Sequence, residues 1–177
     1  LMSSILVIIL APLSYSSEFN EIMYDFPGDD NNKEFIEIYS NGYVNLSKYI
    51  ISDSSSNDTL IERKHSDSGY SLIVEDGFNH SKINASIYSV GATIGNNLGN
   101  NDDNLTLFYP NNSMVIKMEY FAEWGGTGNG YSLERINPAT QNNEDNWHTS
   151  FISNGTPGKQ NSVFGLQGFT YNQVKIT

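Results

Sequence analysis

Cysteine is absent from the 177-residue chain. That excludes a disulfide frame and a thiolate nucleophile, but it leaves the compartment open, because exported proteins can lack disulfides. Basic residues are scarce: 9 Lys and Arg stand against 20 Asp and Glu, for a net charge of −11. A surface this acidic repels phosphate backbones, so no nucleic-acid partner is expected. Hydrophobic residues make up only 38% of the chain, and no window longer than about ten residues keeps a helical period. No Gly-x-Ser-x-Gly elbow, phosphate-cradling glycine loop or His-Glu-x-x-His stretch occurs. What is abundant points one way. The chain has 23 Asn, 22 Ser and 15 Gly, a mixture that favours turns and strand connections over helices. Aromatic residues, at 12%, supply large buried area per side chain, and the length suits one domain with a modest core.

Residues 1–16 stand apart from this pattern. Ile5 to Leu13 is an apolar run of nine, too short to span a bilayer as a helix. It fits the apolar middle of a secretory signal peptide, with the small residues Ser14 and Ser16 marking cleavage after Ser16. No positive stretch precedes the run and the chain opens on Leu1, so this leader is expected to be truncated at its N-terminus. The competing reading is a buried strand, but strand runs normally stop at about 4–8 residues between turns.

From Glu18 onward, short alternating segments sit between polar turns. Strands are expected at 19–24, 34–39, 48–53, 59–63, 70–75, 85–90, 105–109, 114–120 and 131–136. Their spacing implies a β-sandwich or barrel. Ser54 to Ser68 is polar, with little strand pattern. Gly125 to Gly130 is glycine-rich, but no Lys follows it and no helix opens after it, so it reads as a strand connection.

Candidate chemistry is sparse. Asp29, Asp30 and Asn31 in one loop, and Asp102 and Asp103 in another, carry the hard oxygens that calcium prefers. Neither loop follows the EF-hand order, and both also read as solvated turns bonded to their own backbone. Calcium is thus the only cofactor candidate; otherwise none is expected. His65, His80 and His148 stand apart, without the convergence a zinc site needs. Glu34 and Glu37 lie three apart on a strand and so point to opposite faces. In the Tyr131-Ser132-Leu133-Glu134-Arg135 run, Leu133 should face the core and Arg135 should share its face. A buried Arg needs a carboxylate, and Glu21 and Glu37 are the expected partners in a structural ion pair. Seven Asn-x-Ser/Thr acceptors occur, at Asn45, Asn57, Asn79, Asn84, Asn104, Asn111 and Asn154. In an exported chain they would mark polar surface loops for N-glycosylation.

Several motifs, taken in order, resemble one family. Asn20-Glu21-Ile22-Met23-Tyr24-Asp25, Pro27-Gly28 and Glu34-Phe35-Ile36-Glu37-Ile38-Tyr39-Ser40-Asn41 resemble the opening of a lamin tail domain of the prokaryotic secreted type. Leu46 to Asp53 resembles its next strand, and Gly99 to Leu107 the turn and strand after that. Tyr131 to Arg135 and Thr156-Pro157-Gly158-Lys159-Gln160-Asn161 resemble its closing signatures. The resemblance implies an all-β, immunoglobulin-like β-sandwich of about 7–10 short antiparallel strands over residues 17–162. Residues 163–177 would be a linker or the start of a following module, and Val174-Lys175-Ile176-Thr177 resembles a strand beginning. The implied function is a non-catalytic interaction or scaffold module, secreted or at the cell surface. It would bind a protein or a cell-envelope polymer, with any membrane anchor outside this chain. The alternative is an accessory domain of a secreted hydrolase, for example a nuclease, whose catalytic part lies elsewhere.

Overall fold

The computed structural model describes residues 17–166. The apolar run Ile5 to Leu13, expected to belong to a signal peptide, and the strand-like end at Val174 lie outside the described residues. The described chain is a β-sandwich of 11 strands: β1 Ser17–Met23, β2 Phe35–Ser40, β3 Ile50–Ser52, β4 Asn57–Thr59, β5 Ile61–Lys64, β6 Tyr70–Val74, β7 Ser86–Ser89, β8 Asp102–Phe108, β9 Met114–Phe121, β10 Tyr131–Arg135 and β11 Trp147–Ser153. Two single-turn 3-10 helices, Ala122–Trp124 and Glu144–Asn146, precede β10 and β11. A seven-stranded sheet runs β11-β10-β1-β2-β6-β7-β5, and a four-stranded sheet runs β4-β3-β8-β9. Among the described residues no helix is long and apolar enough to cross a membrane.

Strand alternation builds two apolar layers. Ile22, Ile36, Ile73, Tyr88 and Leu133 face inward from the larger sheet and meet Ile51, Leu105, Leu107, Met118 and Tyr120 from the smaller one. Each aliphatic side chain buried here contributes about 1.5–3 kcal/mol. Their sequence neighbours Met23, Phe35, Leu72, Val74 and Ile87 form a second cluster on the outer face of the larger sheet. That sheet is therefore apolar on both sides and needs a cover outside as well as a partner inside.

Three findings refine the sequence reading. The strands number 11, because β4 falls inside the polar stretch 54–68 and β11 carries two exposed apolar residues. Pairing is antiparallel everywhere except between β6 and β7, which run parallel from Ser71↔Ser86 to Val74↔Ser89. The loop from Glu75 to Ala85 supplies the crossover that a parallel pair requires. Finally, the fold does not stop at residue 162: Val163 is buried, and the Gly165 amide donates to the Ile136 carbonyl at 3.1 Å.

Candidate functional site

The outer face of the seven-stranded sheet holds an unusual set of side chains. In the register, Glu21 of β1 lies opposite both Glu134 of β10 and Glu37 of β2. Three carboxyl groups therefore stand side by side across neighbouring strands, and all three are fully buried. Their cover is the segment 154–163, here called the strap. The Thr156 amide donates to Glu21 Oε1 at 2.8 Å, and the Gly158 amide donates to Glu37 Oε2 at 2.6 Å. Glu134 Oε2 accepts from the Ser162 hydroxyl at 2.7 Å and the Val163 amide at 3.2 Å. From the sheet itself, Ser132 Oγ donates to Glu21 Oε1 at 2.5 Å and Asn20 Nδ2 to Glu37 Oε1 at 2.7 Å.

The local chain conformation explains how the strap approaches so closely. Gly155 has φ of +73°, and a Cβ there would sit 1.9 Å from Glu21 Oε1. Gly158, with φ of +77°, lies against Ile83 and Asn84. Both positions need glycine for conformation and for space. Asn161 completes the closure: its side-chain amide donates to the carbonyls of Asn20 at 2.7 Å and Arg135 at 2.8 Å. It thereby fills the backbone acceptor at the β-bulge between Phe19 and Glu21. The Thr-Pro-Gly-x-x-Asn stretch is thus a set of donors spaced to meet three acids and a bulge.

Burial pushes the Glu21 carboxyl up to about 8, with the charge of Glu134 acting in the same direction. Burial, then the charge of Glu21, holds Glu37 well above the ordinary carboxylate range. Tyr70 on β6 is raised to about 12 by burial and by the charge of Glu37. None of the hydrogen bonds to these three acids comes from a Lys or Arg.

Arg135 is buried as expected, at 2% exposure, but its partner is neither Glu21 nor Glu37. Its Nη1 pairs with Glu18 Oε2 at 3.0 Å and also donates to the Phe19 carbonyl, while Nη2 donates to the Thr140 carbonyl at 2.6 Å. The reason is alternation. Leu133 pairs with the inward Ile22, so Glu21 and Glu134 point outward, away from the face that Leu133 and Arg135 share.

Beside the strap lies an open groove of about 360 Å³. Met23, Phe35 and Ile83 form its floor, Phe26 and Phe78 its aromatic walls, and Asn79, Asn154 and Pro157 part of its rim. Lys33 Nζ stands 4.4 Å from the Phe26 ring centre. The groove is the uncovered part of the outer apolar layer.

The two acidic loops do not form ion cages by themselves. Asp29 Oδ1 accepts from the Asn31 amide and side chain, a self-bonded turn. Asp103 spends both oxygens on Ser54, Gly99 and Asn104. Asp102 is exposed at the start of β8. The fold does bring the loops near one another. Burial pushes Glu34 up to about 8, and the charges of Glu75, Asp30 and Asp103 all add to that shift. Among the described residues no group of three His, Asp or Glu side chains is placed to hold a metal ion. Asn45, Asn57, Asn79, Asn84, Asn111 and Asn154 are exposed, whereas Asn104 is half-buried on β8. His65 lies near Glu62 and Asp67, while His148 is exposed on β11.

Comparison with known proteins returns no matching family model, no matching curated protein and no matching solved structure. The functional reading therefore rests on the residues.

Proposed function

We propose that residues 17–166 are a non-catalytic interaction or scaffold module of the lamin tail type, carried by an exported or cell-surface protein. The observation that carries this reading is the division of labour on the outer face. Of the carboxyl groups with raised protonation, Glu21 and Glu37 are sealed beneath the strap, and Glu34 and Glu75 are buried elsewhere, while the open groove presents aromatic rings and amides. Chemistry needs acids that can reach a substrate; docking needs apolar area with a polar rim. The resemblance to the closing signatures of lamin tail domains supports the same reading, because those residues act here as cover. The partner would be a protein or a cell-envelope polymer. The test is to purify the chain, screen it on nucleic acid, peptide and glycan substrates, and measure its binding to host cell-envelope material. The expected result is no turnover, with binding weakened at least about tenfold by Phe78→Ser in the groove wall. Turnover lost in Glu34→Gln, or binding indifferent to Phe78→Ser, would overturn the reading. Finding the mature protein in the cytosol would remove the export half.

A further inference from the structure

Thr156 Oγ1 lies 2.7 Å from Glu134 Oε1 and 3.3 Å from Glu21 Oε2. A hydroxyl has one hydrogen, so it can donate to only one of these two acids. Glu134 also accepts from Ser162 and Val163, and its set of three donors suits a carboxylate. Both donors that meet Glu21 apart from Thr156 Oγ1, namely Ser132 Oγ and the Thr156 amide, converge on Oε1. The remaining oxygen, Oε2, faces a hydroxyl whose hydrogen is already used. We propose that Glu21 is a neutral acid whose Oε2–H donates to Thr156 Oγ1, which donates in turn to Glu134. This chain makes the strap a proton-dependent latch on the outer face of the sheet.

Geometry supports the latch from a second side. Side chains opposite one another on adjacent strands have Cβ atoms about 4.5–5.5 Å apart, and like charges at that separation, shielded from water, resist joint ionisation. The surrounding elements offer little relief. Arg135 of β10 is engaged by Glu18 of β1. His148, opposite Glu134 on β11, and Lys159 of the strap are exposed. β2 contributes Tyr39 and the acid Glu37, which faces Glu21 and accepts from Asn20 and Gly158, so it adds to the repulsion. β6 contributes Tyr70, and the loop beneath Gly158 contributes Ile83 and Asn84, which do not titrate. Removing the Glu21 proton sets two carboxylates against one hydroxyl hydrogen. The strap then loses its bridge and lifts, widening the neighbouring groove that Asn154 and Pro157 now border. That last consequence rests on the proposed docking role; the latch itself does not.

The latch is read by hydrogen exchange of the full chain at about pH 6.5 and about pH 9.5, corrected for intrinsic exchange. Protection at Thr156, Gly158 and Val163 should fall about tenfold or more, one decade for each pH unit above the Glu21 transition. Strands β8 and β9 should keep theirs. In Glu21→Gln, whose amide can donate to Thr156 but cannot ionise, the strap should stay protected at the higher pH. Unchanged protection in the wild type, an equal loss in Glu21→Gln, or an equal loss in every strand would each overturn the proposal. Should that variant fail to fold, a carboxyl-carbon NMR titration of wild-type Glu21 decides. A transition above neutrality supports the latch, and one near the ordinary carboxylate value overturns it.

Discussion

Arg135 shows how one buried charge is made tolerable. Its guanidinium is shared among Glu18 and two backbone carbonyls, those of Phe19 and Thr140. Replacing it by Met would strand those carbonyls, and Arg135→Met should cost about 2–4 kcal/mol in a urea titration. Glu18→Gln should cost less, about 1 kcal/mol, because Glu18 retains access to water. A loss in Glu18→Gln equal to that in Arg135→Met would show that the carboxylate, not the carbonyl pair, carries the effect. That Arg135 is buried was readable from its two-residue spacing to Leu133. Its partner was not, because the bulge after Phe19 puts both Phe19 and Ile22 on the core face, and simple alternation fails along β1.

At the scale of elements, the strap is the part most sensitive to small changes. Gly155→Ala would press a methyl group into Glu21 and Ser132 while also straining a left-handed backbone. It should destabilise by about 2 kcal/mol or more, read as a fall in thermal midpoint, whereas Gly28→Ala meets no atom and pays only the backbone term. The strands themselves were largely legible, since alternation places the apolar residues of β2, β6, β8 and β10 correctly. β4 was not, because Asn57-Asp58-Thr59 has no apolar side chain to announce it; its place is set by pairing with β3. β11 was missed for the opposite reason. It lies at the sheet edge, with Phe151 at 57% and Ile152 at 50% exposure, so its hydrophobicity does not alternate. The convergence of Glu21, Glu37 and Glu134 beneath the strap requires the strand order, which no local pattern encodes.

For the whole molecule, the buried acids set the response to pH. Glu21 and Glu34 are pushed from about 4.5 to about 8, and Glu37 also lies well above its ordinary range. Between about 4.5 and 8 the folded chain holds protons that the unfolded chain releases. Stability is therefore full at the acid end of that window and declines as pH rises through it. Denaturant midpoints measured across this window should fall steadily. A midpoint that does not fall between pH 5 and pH 8 would mean that the acids are already ionised in the folded state. The net charge of −11 acts in the same direction by self-repulsion, but added salt screens it, whereas the buried groups are shielded.

The central position of β1 bears on how the chain reaches its fold at all. β1 sits between β2 and β10, and the contact joining Glu21 to Ser132 spans 111 residues. The bonds that seal the face reach further, 135 residues from Glu21 to Thr156 and 141 from Asn20 to Asn161. An early strand must therefore wait, one edge unpaired, until almost all the later chain is available. Loop closure over such distances is slow, and refolding should take milliseconds to seconds rather than microseconds. Stopped-flow refolding monitored by Trp147, which packs beside β10, should show this slow phase. During synthesis the same wiring keeps the chain incomplete until the strap has emerged.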